Sequence, residues 1–346
     1  MLLSRAREQA VLPLAQEFTE PGMEAQAARL VSDLHQPNPR IFWTDLILTT
    51  LTGWVSFGIA LTIASNTWQI GLALSVASLA FYRGLCFLHE ITHIRQRMLP
   101  GFEATWNLVL GIPLLMPTVM YVGVHQNHHM LSTYGTDDDP EYMPFAGNPF
   151  MVAVFLVQSL LLPALMMLRF LVLAPIGLLV PNFHRWLAVH ATALSMNIKY
   201  KRQVSDTTMA AITRAEIMIL AVWGSCIALA FGGILPLKIF GFWYAAIALM
   251  SFINTLRTLA AHHYETTGGP RDRSAQLHDS VDIPGGLLSE LWAPVGLRYH
   301  AVHHFFPGVP YHNLGTAYRR LTEALPAYRQ ITKPTLAASL RELVGF

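Results

Sequence analysis

The sequence predicts an all-α membrane protein with four transmembrane helices in two hairpins, additional interfacial or re-entrant helices, and a cytoplasmic cap. Only 13% of its 346 residues are charged, whereas soluble domains carry about 25%, and the mean hydropathy is +0.39. Four segments are long and apolar enough to span a bilayer, which takes about 20 residues. A formal net charge of +2 gives no indication of nucleic-acid binding.

The four predicted spans form two hairpins because only a few residues separate the members of each pair. The spans occupy residues 45–64, 68–88, 214–233 and 237–258. The linkers at 65–69 and 233–236 contain no Lys or Arg, whereas basic residues flank the opposite ends of the spans. The positive-inside rule therefore predicts that both termini and all long loops are cytoplasmic. We expect the membrane to be a bacterial inner membrane.

Two further apolar segments are interrupted by prolines. Residues 106–121 and 150–180 each contain two of them. Since proline-broken apolar segments can dip into a bilayer without crossing it, we expect both to be interfacial or re-entrant. Two alternatives remain open. Either segment could be an additional span, or the second could cross twice, which would preserve the sidedness of everything after it.

We expect a single domain over residues 1–346, because the sequence shows no internal repeat or low-complexity tract. Residues 1–44 would form a cytoplasmic N-terminal segment, residues 45–264 the membrane core, and residues 265–346 the more polar cytoplasmic cap. Near its end, residues 313–325 have the pattern of an amphipathic helix.

Histidines form three tight clusters with helical spacing. The clusters are HEITH (His89 and His93), HQNHH (His125, His128 and His129) and HAVHH (His300, His303 and His304). Residues three or four positions apart share one face of a helix, and neutral imidazole is the commonest side-chain ligand of transition metals. The number of these nitrogens exceeds the number of ligands that one metal ion binds. The sequence therefore predicts a two-metal site held by the cytoplasmic cap. Imidazoles that leave positions open suit iron in oxygen chemistry.

A ninth ligand is predicted where the fourth span ends, in the string RTLAAHHYE. An ionisable residue at the edge of a span is a functional candidate by default. Of the adjacent His262 and His263 we favour His262; the alternative is that both are polar residues at the membrane surface. Isolated histidines are not expected to bind metal: His35, His184, His190, His278 and His312.

Acidic residues lie close to two of the clusters. Glu90 stands inside HEITH, and an acidic loop with Asp139 and Glu141 follows HQNHH. Such carboxylates either accept hydrogen bonds from ligand imidazoles or are solvated polar residues, and both interpretations stay open.

Two rival functions use the same residues differently. An HExxH string also marks zinc proteases, with Glu90 as general base. An intramembrane protease would need an acidic ligand deep in another span. The one acidic residue in the third and fourth spans is Glu216, which lies at a span edge. A metal transporter would place its ligands near the bilayer midplane. Neither Cys86 nor Cys226 belongs to an iron–sulfur or zinc-knuckle pattern.

In this order and on four spans, HEITH, HQNHH and HAVHH resemble the integral-membrane fatty acid desaturase superfamily. The resemblance covers roughly residues 45–325 and includes the extended third cluster RYHAVHHFFPGVPYHNL. It implies two iron ions held by the clustered histidines on the cytoplasmic side, O₂ as co-substrate, and electrons from an external donor such as a ferredoxin. His262 is implied as a ligand because TLAAH matches the family's NxxxH element, with Thr258 in place of the Asn.

The resemblance further implies an oxidoreductase that attacks an unactivated C–H bond of a fatty acyl chain, carried as a free acid, a thioester or a lipid. We expect a fatty acid desaturase. The alternative on the same scaffold is a fatty acid hydroxylase or a decarboxylase that forms 1-alkenes. No catalytic residue beyond the metal ligands is predicted.

Overall fold

The structure is a computed structural model that describes residues 23–265, 268–269 and 271–345. Over these residues it is helical, and β-structure is limited to isolated bridges. The helical class predicted from the sequence is therefore confirmed. The first 22 residues, which include Arg5 and Arg7 of the predicted cytoplasmic N-terminal segment, lie outside the described residues.

Five helices are long and apolar enough to cross a membrane, which fits an integral membrane protein. They are α1 (Pro39–Thr62), α2 (Thr67–His93), α3 (Pro149–Leu179), α4 (Asp206–Phe231) and α5 (Lys238–Leu259). The shorter α-helices of the described chain are Met23–Leu30, Phe102–Trp106, His125–His129, Pro181–His190, Arg273–Asp279, Ser289–Trp292, His300–Phe305, Tyr311–Ala324 and Leu336–Val344.

Polar capping residues set where the long helices begin. The side chains of Asn38, Asn66, Asn148 and Ser205 each accept a hydrogen bond from a backbone N–H in the first turn of α1, α2, α3 and α4. Such caps satisfy backbone donors that have no partner inside the helix. The helices therefore extend beyond the apolar windows that predicted them, and α2 continues through His93, so HEITH is part of the helix.

The number of long apolar helices is five rather than the predicted four. The extra one, α3, comes from the segment that was expected to be broken into interfacial pieces. Pro163 lies inside its first, α-helical part, and a π-helical stretch, Leu168–Leu173, ends two residues before Pro175. Prolines are tolerated inside apolar helices when local π-helical turns and neighbouring groups satisfy the freed backbone. The prolines therefore reshape this helix without ending it.

The other proline-broken segment does not form a long helix. It contains the end of the Phe102–Trp106 helix, a π-helical turn at Asn107–Gly111 and a 3₁₀ turn at Thr118–Met120. The Asn107 side chain joins the two turns, because its Oδ1 accepts from Thr118 N at 2.9 Å and its Nδ2 donates to Thr118 Oγ1 at 2.8 Å. The segment thus doubles back on itself.

After α3 the chain returns to the region from which α3 departed. The Pro181–His190 helix folds back along the end of α3, and Arg169 Nε in α3 donates to Ala191 O at 2.8 Å. A few residues later, Met196 N donates to Pro140 O at 2.8 Å. Since Pro140 precedes α3, both ends of this helical hairpin lie against the same part of the protein.

A buried ionic cluster holds this hairpin against α4. Glu216 is fully buried, and its two oxygens lie 2.6 Å from Arg169 Nη2 and 2.7 Å from His184 Nε2. His184, which was not expected to bind metal, is thereby assigned to the packing of the helices. A buried charge is tolerated only when it is paired and hydrogen-bonded.

Contacts between the C-terminal region and the first hairpin fix the position of the third histidine cluster. Glu90 Oε2 accepts from Tyr311 N at 2.9 Å, and Tyr311 Oη donates to Asp45 at 2.9 Å. Phe42 and Phe87 pack against the Tyr311 ring at centroid distances of 4.9 and 5.6 Å. The C-terminal region is thus held at the end of α2 where HEITH lies.

We predict that Glu216→Ala destabilises the protein strongly, because it leaves the Arg169 guanidinium buried without its carboxylate. Breaking a buried pair in this way costs about 3–5 kcal/mol. Thermal unfolding in detergent should show a clear fall in Tm. Glu24→Ala is the matched control, since the ion pair of Glu24 among the described residues is an exposed contact of 3.9 Å with Arg273. An equal Tm for both variants would contradict the prediction.

Candidate metal centre

Four separate chain segments bring the predicted histidines together. The first segment is the end of α2, the second is the His125–His129 helix, the third follows α5, and the fourth is the His300–Phe305 helix. The first group of histidines comprises His89, His93, His125, His129 and His303, and the second comprises His128, His262, His300 and His304. Within each group one ring nitrogen per residue lies within 4.8 Å of all the others, so each group could hold a metal ion.

Contacts outside the rings orient the short helices that carry these histidines. Gly123, with a φ of 84°, permits the tight turn that leads into the His125–His129 helix. Gln126 in that helix donates through Nε2 to Thr92 O at 2.7 Å, which ties the second cluster to the first. Asp282 Oδ1 accepts from Ala301 N at 2.8 Å and so caps the start of the His300–Phe305 helix.

The spacing of the ring nitrogens fits metal ligands better than hydrogen bonds. In the first group, His129 Nε2 lies 3.0 Å from His125 Nε2 and 3.1 Å from His303 Nε2. In the second group, His300 Nε2 lies 2.8 Å from His262 Nε2 and 3.1 Å from His304 Nε2.

A ring nitrogen carries either one proton or one lone pair, so it cannot form two such hydrogen bonds. Two nitrogens about 2.1 Å from a shared ion, at a right angle, would lie about 3 Å apart.

Several ligand-candidate nitrogens are buried without any hydrogen-bond partner. Within the described chain these include both ring nitrogens of His89 and the Nε2 of His93. Buried polar atoms in folded proteins are almost always paired, so each unpaired one needs an explanation. A metal ion bound through one nitrogen of each ring would supply the missing interaction of that nitrogen.

Carboxylates fix which nitrogen of two rings carries the proton. His125 Nδ1 lies 2.8 Å from Glu141 Oε1, and His128 Nδ1 lies 2.9 Å from Asp139 Oδ1. Because an ionised carboxylate only accepts, the Nδ1–H donates in each case and Nε2 is left with its lone pair. This leaves the Nε2 atoms of His125 and His128 free to bind metal.

His262 is oriented through a tyrosine. Tyr134 Oη donates to Asp279 Oδ2 at 2.7 Å and lies 2.9 Å from His262 Nδ1. Since the hydroxyl proton is already used, Tyr134 accepts the proton of His262 Nδ1–H. His262 Nε2 therefore faces the second group with its lone pair.

Burial keeps most of these imidazoles neutral, which is the form that binds metal. It lowers the pKa of His262 to about 4 and holds the pKa of His129 and of His300 well below the ordinary value. His128 differs, because burial lowers its pKa but the Asp139 carboxylate outweighs that effect and raises it. A metal ion at His128 Nε2 would have to compete with a proton there.

All nine histidines predicted from the sequence lie in the two groups, and in the described chain the groups contain no other residue. His263, the neighbour that was not favoured, instead lies 3.6 Å from Glu342. His312 Nε2 accepts from Asn38 N at 3.0 Å, which is a structural role. That the nine histidines bind metal remains a prediction.

The acidic residues fall into different roles. Asp139 and Glu141 hold ligand-candidate imidazoles, as one of the two open interpretations expected. Glu90 is 3.8 Å from His89 Nδ1 and instead receives the Tyr311 N–H. Sequence reasoning missed Tyr134 and Asp279, because neither stands in a cluster or at a recognisable spacing from His262.

A cavity reaches the first histidine group from the side of the long helices. It has a volume of about 190 Å³ and lies between α2, α3 and α5, with His89 in its wall. Concave sites next to convergent polar groups are where small ligands bind. A substrate in this cavity would lie beside a candidate metal position.

Comparisons with known proteins agree with the geometry. The sequence profile of the family described as fatty acid desaturase matches residues 65–334. Over 336 residues, covering 95% of each chain, the protein is 39% identical to one from Caulobacter vibrioides (strain NA1000 / CB15N) that is named ceramide hydroxylase.

We predict that His303→Ala and His128→Ala each lower the metal content from about two ions to about one, because they belong to different groups. Inductively coupled plasma mass spectrometry of the purified protein measures this. The exposed His35 is outside both groups, so His35→Ala should keep full metal content. Unchanged metal in His303→Ala would contradict the two-group site.

We also predict that Asp139→Asn weakens metal binding about 10–100-fold, the usual effect of losing a carboxylate that orients a ligand imidazole. The amide nitrogen would face the N–H of His128 where the carboxylate now accepts it. Competition with a chelator measures the change in affinity. Asp138→Asn is the control, because Asp138 is the exposed neighbour in the same loop; equal affinities for the two variants would count against the role of Asp139.

Proposed function

This chain belongs to the fatty acid desaturase family, and from that premise we propose that it is a membrane di-iron hydroxylase acting on a ceramide-like lipid. The observation that carries the proposal is the 39% identity to a ceramide hydroxylase over 95% of both chains. It supports the hydroxylase alternative over the desaturase that the sequence analysis expected.

Two iron ions fit the donor set best. Five imidazoles in the first group exceed the four ligands that zinc almost always takes, and imidazoles with open positions are typical of iron sites that use O₂. Bound there, the irons would supply the O₂ activation that breaks an unactivated C–H bond. The residues of this chain would hold the irons, orient the substrate and exclude water.

The proposed reaction balances with an external source of electrons. One oxygen atom of O₂ is inserted into a C–H bond to give C–OH. The other leaves as water, with two electrons and two protons taken up. We propose that a separate redox protein delivers these electrons.

A small acidic redox protein such as a ferredoxin is the proposed donor. Lys199 and Lys201 are exposed, and between them Tyr200 Oη accepts from Asn127 Nδ2 at 2.8 Å. Asn127 stands inside HQNHH, so this basic loop contacts the second histidine cluster directly. Complementary charge steers such encounters at low ionic strength.

The proposed topology has the metal centre and both termini on the cytoplasmic side of a bacterial inner membrane. Histidines on one side of a bilayer need an even number of crossings between them, yet α3, α4 and α5 all lie between His129 and His262. The return of the chain from Met196 to Pro140 supports an α3 hairpin that enters and leaves on the same side. The remaining four helices then cross, and the basic flanks favour the cytoplasm.

We predict that purified, iron-loaded protein with a ferredoxin reducing system converts a ceramide to a product heavier by one oxygen atom. When the reaction is run with isotope-labelled O₂, mass spectrometry should find the label in the product. The His303→Ala variant should give no product. Loss of two hydrogens instead would make the protein a desaturase. A terminal alkene one carbon shorter than a supplied fatty acid would make it a decarboxylase, and no oxygen transfer to any ceramide would overturn the proposal.

A further inference from the structure

One face of α5 is polar along the part that borders the cavity. Ser251, Asn254, Thr255 and Thr258 follow the spacing of a single helical face, and all four line the cavity. The rest of α5 is largely apolar, with the sequence KIFGFWYAAIALM before this face. Polar side chains within a membrane helix are costly and mark functional sites.

The opposite wall contributes the only two polar side chains in the Pro149–Met167 part of α3. These are Gln158 and Ser159, and both line the same cavity. Polar residues of two apolar helices therefore face one another across an open space. Packing of α3 against α5 does not require these polar residues, since apolar residues fill the rest of both helix surfaces.

These side chains do not serve as bonds between the two helices. Ser159 Oγ donates to Leu156 O within its own helix. Ser251 is 5% exposed, and its hydroxyl has no hydrogen-bond partner among the described residues. The direct link from α5 to α3 is instead Tyr244 Oη to Leu160 O, at 3.0 Å. Polar residues often join membrane helices, but this polar set is left available to a ligand.

Arg257 fixes the orientation of one of these residues. Its Nη2 donates to Asn254 Oδ1 at 3.1 Å, and its Nε is buried without a partner. In the described chain Arg257 forms no ion pair, and the C-terminal end of α5 provides partial negative charge beside it. With its oxygen occupied, the Asn254 amide has both N–H groups free to donate.

The polar face lies close to the metal ligands. Thr258 is four residues before His262, at the end of α5. Ser251 is seven residues further away, which at 1.5 Å per residue is about 10 Å along the helix. His89 lines the same cavity. A bare methylene chain in this position would leave these polar groups without hydrogen-bond partners, which is unfavourable for buried groups.

We propose that this polar cavity holds the amide and hydroxyl core of a ceramide-type lipid, with Gln158 and Asn254 as positioning residues. Hydroxylation would then occur within a few carbons of that core rather than in the middle of the acyl chain. Amide and hydroxyl side chains both donate and accept, which matches a ligand core that does the same; a carboxylate only accepts. The position of hydroxylation in this inference rests on the proposed function, whereas the binding of the lipid core does not.

Binding is tested first, without turnover, by thermal unfolding of the iron-loaded protein in detergent. A short-chain N-acyl sphinganine should raise the Tm of the wild type, as a ligand of the folded state must. The methyl ester of the same fatty acid should not. Gln158→Leu and Asn254→Leu should lose most of the shift. Gln69→Leu should keep it, because Gln69 is exposed at the far end of α2.

Kinetics and product position provide the second readout. Each Leu variant should raise KM for the ceramide about tenfold, the equivalent of one hydrogen bond, and should spread the hydroxyl over several carbons where the wild type gives one. Thr255→Val keeps the side-chain shape and removes only the hydroxyl. It keeps the test informative if a Leu variant fails to fold.

Equal stabilisation by the methyl ester, stronger stabilisation by the free fatty acid, or a mid-chain hydroxyl would each overturn the inference. The inference would also be overturned if Gln158→Leu and Asn254→Leu kept the Tm shift, as Gln69→Leu should. A wild type that binds ceramide through Gln158 but transfers no oxygen would instead contradict the proposed function and leave the binding site standing.

Discussion

Nine imidazoles must meet within a few ångströms, and four segments far apart in the chain carry them. No segment is held by the histidines alone. Gln126 ties the second cluster to Thr92, and Glu90 ties α2 to the chain at Tyr311. Asp282 caps the last histidine helix. These contacts hold the segments that carry the rings, and metal sites need such support from surrounding residues for a defined geometry.

Burial does two things at this centre. It keeps most imidazoles neutral and so able to bind a cation, and it makes every unpaired polar atom costly. Carboxylates provide hydrogen-bond partners for three of these buried rings. Asp139 accepts from His128 and Glu141 accepts from His125. Asp279 acts on His262 through Tyr134. The two aspartates also bring negative charge next to the place where two cations would lie.

Removal of one hydrogen from a lipid can be followed by oxygen insertion at the same carbon or by removal of a second hydrogen next to it. Which one follows depends on how the substrate is held, since small shifts in position change rates greatly. Both outcomes would use the same histidine groups. In the binding mode proposed above, the polar cavity between α2, α3 and α5 would hold the lipid in one place.

The sequence by itself predicted four of the long apolar helices and the eight clustered histidines, because apolar length and i, i+4 spacing are local properties of the chain; His262 was added from its place at the end of a span and from the family resemblance. It did not determine how the histidines divide into groups of five and four, since that depends on which helix ends meet. Asp279, the Glu216 cluster and the polar cavity were equally invisible, because each joins residues distant in sequence. The continuity of α3 was decided by its packing, where a π-helical stretch accommodates a proline that the local sequence alone indicates as a break.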